Sequence, residues 1–163
     1  MTMSAQPAQS TQSARSAEHG TFTITRTYPV PPARVFAAWA STEAKGRWFG
    51  GGGGVGPALE LDFRVGGTET IRAGSGDGPV HTYEATYKDI VTDERIVYGY
   101  TMDADGKRIS VSVTTVEFTP ASGGGSTTLT FTEQGVFLDG GDTPAIREKG
   151  TAELLDQLGA ALA

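Results

Sequence analysis

Apolar and polar residues alternate with a period of two over most of this chain. Phe22 and Ile24, with Arg26, interleave with Thr21, Thr23, Thr25 and Thr27. That pattern predicts a strand with one buried face. Pro29, Pro31 and Pro32 end it, and Val35, Phe36 and Trp39 then share one helical face. Proline suits a first helical position, where its missing N–H would have no partner anyway. Ser41 or Thr42 is placed to cap a second short helix running through Trp48. Gly50–Gly54, Gly56 and Pro57 predict a loop after it.

Period two then returns. Leu59, Leu61, Phe63 and Val65 alternate with Glu60, Asp62 and Arg64, and Gly66-Gly67 turns the chain into Thr68–Arg72. Strands are predicted over Val80–Ile90, Arg95–Met102, Arg108–Phe118 and Thr127–Gln134. The connections Thr92–Glu94, Asp103–Gly106 and Ser122–Gly125 are hairpin-sized, which implies antiparallel pairing. The period changes once more near the end. Asp142 or Thr143 caps a last helix, Pro144 sits near its first position, and Ile146, Leu154, Leu155, Leu158 and Leu162 supply its apolar stripe. Gly150 inside that helix costs about 1 kcal/mol relative to alanine. The predicted order is β-α-α-β-β-β-β-β-β-α, an α+β class with helices set against an antiparallel sheet.

Composition narrows the chemistry. The chain has 163 residues, a length that suits one domain with a real core. It has no cysteine, so disulfides, thiolate metal sites and a cysteine nucleophile are excluded. A net charge of −6 argues against nucleic-acid binding, which needs a basic face. No run approaches the roughly 18 apolar residues of a membrane span. Residues 1–20 are rich in Ser, Thr, Gln and Ala and are expected to be a disordered polar leader without the apolar stretch of a secretion signal. Residues 21–163 are expected to form the domain, soluble and cytoplasmic. Glycine is the outlier, with 23 copies. Most fall at predicted turns and in the Gly50–Gly56 connector. Gly99 and Gly150 do not, which makes them the candidates for a close approach of a ligand or, at Gly150, of the sheet.

Several residues carry candidate chemistry. Gly51–Gly56 satisfies a dinucleotide-type glycine spacing, but the strand and helix stand on the wrong sides of it. A connector, or a lid with Trp48 and Phe49 as gate residues, fits better. His81 is the single histidine inside the predicted domain, so no two-histidine metal site exists and no metal or cofactor is expected. On its strand His81 shares parity with Tyr83 and Tyr87, which makes it a surface histidine or a cavity acid–base group. Asp62 and Arg64, two apart on a strand, read as an ion pair. Glu133 shares parity with Leu129 and Phe131, so either it points inward with them and needs a partner such as Arg147, His81 or a tyrosine, or it reaches water at the strand end. Tyr83, Tyr87, Tyr98 and Tyr100 fall on consecutive strands, where buried hydroxyls each need a partner.

Taken in order, these strings resemble a known family. They are Phe22-x-Ile24-x-Arg26, Pro32-x-x-Val35-Phe36-x-Ala38-Trp39, Arg47-Trp48-Phe49 and Leu61-Asp62-x-Arg64-Val65-Gly66-Gly67. Tyr87-x-x-Ile90, Glu94-Arg95-Ile96-Val97, Thr127-x-Leu129-Thr130, Glu133-Gln134-Gly135 and Gly150-x-x-x-Leu154-Leu155-x-x-Leu158 follow. The chain is similar over residues 21–162 to the START-like (SRPBCC) superfamily, in the branch named for the activator of Hsp90 ATPase homologue 1. The resemblance implies a helix-grip fold: a curved antiparallel sheet around a long C-terminal helix, with an apolar cavity between them. Relatives bind lipids, hormones or polyketides, act as cyclases, dehydratases or hydrolases, or serve in stress responses and antibiotic self-resistance. Many carry tryptophan where this chain has Thr151, a change that would enlarge the cavity. A full Hsp90 activator has a further N-terminal domain, so Hsp90 is not the expected partner.

The leading expectation is a small-molecule binding protein, bacterial in type, for a hydrophobic or aromatic ligand. Trp39, Trp48 and Phe49 would line or gate the entrance, Tyr83, Tyr87 and Tyr98 would form the wall, and Glu133 and Arg147 would anchor polar groups. The alternative is a cavity enzyme using His81, Glu133 or Asp62 for proton transfer. A third reading is a chaperone-associated interaction protein. Monomer and homodimer are both compatible with these patterns.

Overall fold

The computed structural model describes residues 15–49, 58–74 and 77–163. Backbone N–H and C=O groups of consecutive strands must pair with one another, and here a single antiparallel sheet satisfies them. Its strands are β1 (Ala17–Tyr28), β2 (Ala58–Leu61), β3 (Thr68–Ala73), β4 (His81–Val91), β5 (Arg95–Ala104), β6 (Lys107–Ala121) and β7 (Ser126–Leu138). They lie in the order β1-β7-β6-β5-β4-β3-β2, so the first strand closes onto the last. Helices α1 (Pro32–Ala37) and α2 (Thr42–Gly46) follow β1, and α3 (Pro144–Leu162) ends the chain. This is the helix-grip arrangement. Among the described residues no helix is long and apolar enough to cross a membrane.

Register decides what faces α3. Phe22 stands opposite Glu133, Glu133 opposite Thr114, Thr114 opposite Tyr98 and Tyr98 opposite Tyr87. Partners directly opposite share a face, so the whole row points to the core, where all five are buried. The next row runs Gly20, Gly135, Ser112, Tyr100, Ala85 and Glu69. Its small members let the start of α3 approach. A Cβ at Gly20 would collide with the ring of Pro144. Farther along, Tyr28 donates a 2.7 Å hydrogen bond to the Leu155 carbonyl, and Arg26 pairs with Asp156 at 2.9 Å.

The local signals act where expected. Ser41 accepts from the Ala44 N–H and caps α2; Thr143 accepts from the Ile146 N–H and caps α3, with Pro144 next. Asp105 and Gly106 both take positive φ and turn β5 into β6. The Gly50–Gly56 connector lies outside the described residues, as do residues 1–14 of the expected leader.

Several boundaries differ from the expectation, and most strands run a few residues longer than predicted. β1 starts at Ala17, because Ala17–Gly20 pair with Leu138–Gly135 of a β7 that also runs past Gln134. The partner strand orders a stretch whose own side chains cannot. β2 stops at Leu61, since Gly66 needs a positive φ and Gly67 sits against the Asp62 carbonyl, making 62–67 a turn. α2 ends at Gly46 and not at Trp48. In α3, Ile146 is 64% exposed, and the inward face is Arg147, Thr151, Leu155, Leu158 and Leu162. Neither outlying glycine marks a close approach. Gly150 faces open space, and a Cβ on Gly99 would meet only the Ser112 carbonyl at an ordinary 3.8 Å.

These two kinds of glycine predict opposite effects. Gly150→Ala is expected to stabilise the protein by up to about 1 kcal/mol, the helix-propensity gain. Gly20→Ala is expected to cost roughly 1–3 kcal/mol, because the rigid Pro144 ring must move. Urea unfolding of both variants beside the parent checks the signs.

Candidate functional site

Between α3 and the concave face of the sheet lies a cavity of about 80 Å³. Seven aromatic side chains wall it: Trp39, Trp48, Phe49, Tyr83, Tyr98, Tyr100 and Phe131. Met102 comes from β5, and α3 contributes Arg147, Thr151, Leu154 and Leu155. The rings pack in a continuous run, edge to face up to Tyr83 and tilted between Tyr83 and Tyr100. Trp39 and Trp48 centroids are 4.7 Å apart, Trp48 and Phe49 5.4 Å, Phe49 and Tyr83 5.4 Å, and Tyr83 and Tyr100 4.8 Å. Such contacts stabilise beyond area burial because ring edges and faces carry opposite partial charge. Trp48 also donates its indole N–H to the Ala38 carbonyl at 2.9 Å, which holds α2 against α1.

One end of the cavity is a polar cluster. The Tyr100 hydroxyl lies 2.8 Å from each oxygen of Glu133, and Ser112 donates to Glu133 at 3.0 Å. Arg147 enters from the first turn of α3. It donates to the Tyr100 oxygen at 2.7 Å, to Ser110 at 2.8 Å and to Glu133 at 3.4 Å. Asp142 closes its outer side at 2.9 Å. The guanidinium lies 5.1 Å from the Phe137 ring centroid. Burial pushes the Glu133 carboxyl up, although Arg147, Tyr100 and Ser112 all oppose the shift. Burial raises the Tyr100 phenol, helped by the neighbouring Glu133 charge.

A second ionic group stands behind the aromatic wall. The Lys45 ammonium is 2.7 Å from both oxygens of Glu69, with a well-formed hydrogen bond to Oε2 alone. Both side chains are 0% exposed. Tyr87 donates to the same Oε2 at 3.0 Å. Three rings surround the ammonium: Phe49 at 4.4 Å, Trp39 at 5.2 Å and Tyr98 at 5.7 Å. Burial lowers the Lys45 pKa, and Glu69 resists that shift.

The expected site residues separate cleanly in space. Trp39, Trp48, Phe49, Tyr83, Tyr98, Glu133 and Arg147 line the cavity. Tyr87 does not, since its hydroxyl turns to Glu69. His81 has the inward parity but sits at the first residue of β4, past the rim of the core, and is exposed. Asp62 is exposed in the turn after β2 and pairs with Arg64 at 2.8 Å, the structural reading of that pair. Neither reaches the cavity as an acid or base. Lys45 and Glu69 were not anticipated. Their signals are present: Glu69 shares β3 parity with buried Ile71, and Lys45 precedes Trp48 and Phe49 by three and four residues, one helical face. No metal-binding group of His, Cys, Asp and Glu occurs among the described residues.

A curved sheet gripping a C-terminal helix over an apolar cavity defines the START-like class. Residues 29–163 match the family described as activator of Hsp90 ATPase homolog 1-like protein, and the chain belongs to it. An uncharacterized protein from Rhizobium leguminosarum is 47% identical over 91% of this chain and 97% of its own, with a TM-score of 0.85. A protein from Rhizobium loti is 46% identical over 90% of this chain and 99% of its own, with a TM-score of 0.82. DynU16, a protein of the dynemicin biosynthetic locus, shares the fold at 17% identity and a TM-score of 0.61, over 87% of this chain and 46% of its own. No curated protein matches the chain.

Two predictions follow from the ionic groups. Lys45→Met strands a buried carboxylate and should cost about 3–5 kcal/mol, whereas Lys45→Met with Glu69→Gln should recover most of it. A double-mutant cycle by chemical denaturation reads the coupling. Glu133 has a folded pKa above its ordinary 4.5, so its stabilisation is full below that pH and is lost as pH rises through the folded value. The stability margin of the parent over Glu133→Gln should therefore be larger near about pH 4 than near about pH 8, as read by thermal unfolding.

Proposed function

We propose that the protein binds a small, mainly apolar molecule between its sheet and α3. The observation that supports this best is the cavity itself. It has seven aromatic walls, is fixed at one end by a satisfied polar cluster, and sits where a closed core would otherwise pack. Its size bounds the ligand. About 80 Å³ exceeds the room one water needs but is below the roughly 150 Å³ that admits benzene. A ring-sized ligand therefore enters by widening the site. Phe49, Met102 and Leu154 are the cavity-lining side chains of apolar type that are only partly buried, and methionine repacks easily. An extended lipid or a polycyclic polyketide needs several hundred Å³ and fits the site less well.

Binding is favoured over proton-transfer catalysis. His81 and Asp62 face solvent, and Glu133 is held by three donors, Tyr100, Ser112 and Arg147. A group so fully engaged is a structural anchor and a poor proton shuttle.

Native mass spectrometry of freshly purified protein tests the reading. The expected result is a retained small-molecule adduct in the parent that disappears in Thr151→Phe, whose ring fills the cavity from α3, with an unchanged circular dichroism spectrum. Trp39 and Trp48 are the only tryptophans and both line the site, so intrinsic fluorescence gives a second readout. A parent without adduct, and without fluorescence response to added aromatic compounds, would sink the reading.

A further inference from the structure

Resting on that reading, we propose the class of ligand: a neutral, ring-sized molecule bearing a hydrogen-bond acceptor such as a ketone or ester carbonyl. Its polar contacts are the Tyr83 hydroxyl and the Trp39 indole N–H. The inference comes from counting which polar groups at the cavity are already used.

Arg147 is used up. A guanidinium has five N–H donors. Nε donates to Asp142, Nη2 to Ser110, and the two Nη1 donors go to Tyr100 and Glu133, while the Asp142 carboxylate also lies 2.9 Å from Nη2 as its ion-pair partner. The obvious cation in the wall has nothing left for a ligand carboxylate. Lys45 is closed in the same way, held by Glu69 behind the rings. An anionic ligand would meet no free cation and would lie beside Glu133, a second carboxyl group in the wall.

Two donors remain. The Tyr83 hydroxyl and the Trp39 indole nitrogen are buried and have no hydrogen-bond partner in the protein. Both residues line the cavity, and their side chains are more than nine-tenths buried. Buried polar groups are nearly always paired, and each exception calls for a physical reason. The indole N–H can only donate, and the phenol can donate as well. What satisfies them is an acceptor. An ammonium ion offers none, so a cationic ligand leaves the indole unpaired. A carbonyl oxygen has two lone pairs, enough for both donors, and carries no net charge to desolvate. The remaining wall is aromatic and suits the flat apolar body of such a molecule. The expected anchor, Glu133 with Arg147, thus gives way to a neutral pair on β4 and beside α1.

Four probes of similar shape test this on the full chain: acetophenone, ethylbenzene, benzoate and benzylamine. Acetophenone is expected to bind about tenfold or more tightly than either charged probe, and several-fold more tightly than ethylbenzene. It should shift the Trp39 indole N–H resonance in a nitrogen-15 correlation spectrum. Tyr83→Phe should erase most of the preference for acetophenone over ethylbenzene while leaving ethylbenzene affinity unchanged. Benzoate or benzylamine matching acetophenone overturns the inference, and so does a Tyr83→Phe variant that weakens both neutral probes equally. Failure of all four probes in a protein that still carries a native adduct overturns the ligand class and leaves cavity binding standing. Failure of the probes together with absence of any adduct removes both.

Discussion

Arg147 holds the structure's two layers in register. It leaves the first turn of α3 and reaches Glu133 on β7, Tyr100 on β5 and Ser110 on β6. One side chain thus ties the helix to three neighbouring strands. A buried guanidinium is tolerable only when every donor is matched, because desolvating it otherwise outweighs the attraction. That requirement fixes where α3 begins and which face it turns inward. The cavity lies beside this cluster, with Glu133, Tyr100 and Arg147 in its wall.

The Lys45–Glu69 pair does a matching job from the other side. It joins α2 to β3 with Tyr87 as a third member. Trp39, Phe49 and Tyr98 surround the ammonium and also face the cavity. The aromatic wall is therefore braced from behind by a charge that the rings themselves attract. Apolar side chains would fill the same volume with less desolvation cost. An ion pair, unlike an apolar contact, is directional, and it holds the ring edges and faces in one arrangement. Both ionic groups are closed on themselves, so the open polarity of the cavity is neutral.

Much of this was legible in the residues. Period-two alternation located all seven strands, and the glycine and aspartate turns located the hairpins between them. Parity with Leu129 and Phe131 allowed Glu133 an inward position but left open a strand-end residue reaching water, and the fold buries it. For His81 parity left a surface and a cavity role both open, and its place at the end of its strand puts it in solvent. It also missed Glu69 and Lys45, since a charged residue with inward parity is read as solvated unless its partner is known. Their partner lies 24 residues away. Strand limits failed where pairing, not composition, confers order, as at Ala17–Gly20.

The amino-acid sequence by itself determined the element order, the antiparallel class and the family, because these follow from local periods, caps and turns. It also determined that the interior would be aromatic. Only the tertiary structure decided which polar groups meet. Arg147 reads as an anchor for a ligand until the fold engages four of its five donors and sets two carboxylates against it. Tyr83 and Trp39 looked like wall residues until the fold left their donors unmatched. Hydrogen bonding is settled by distance and angle between residues far apart in the chain, and no period along the sequence records that.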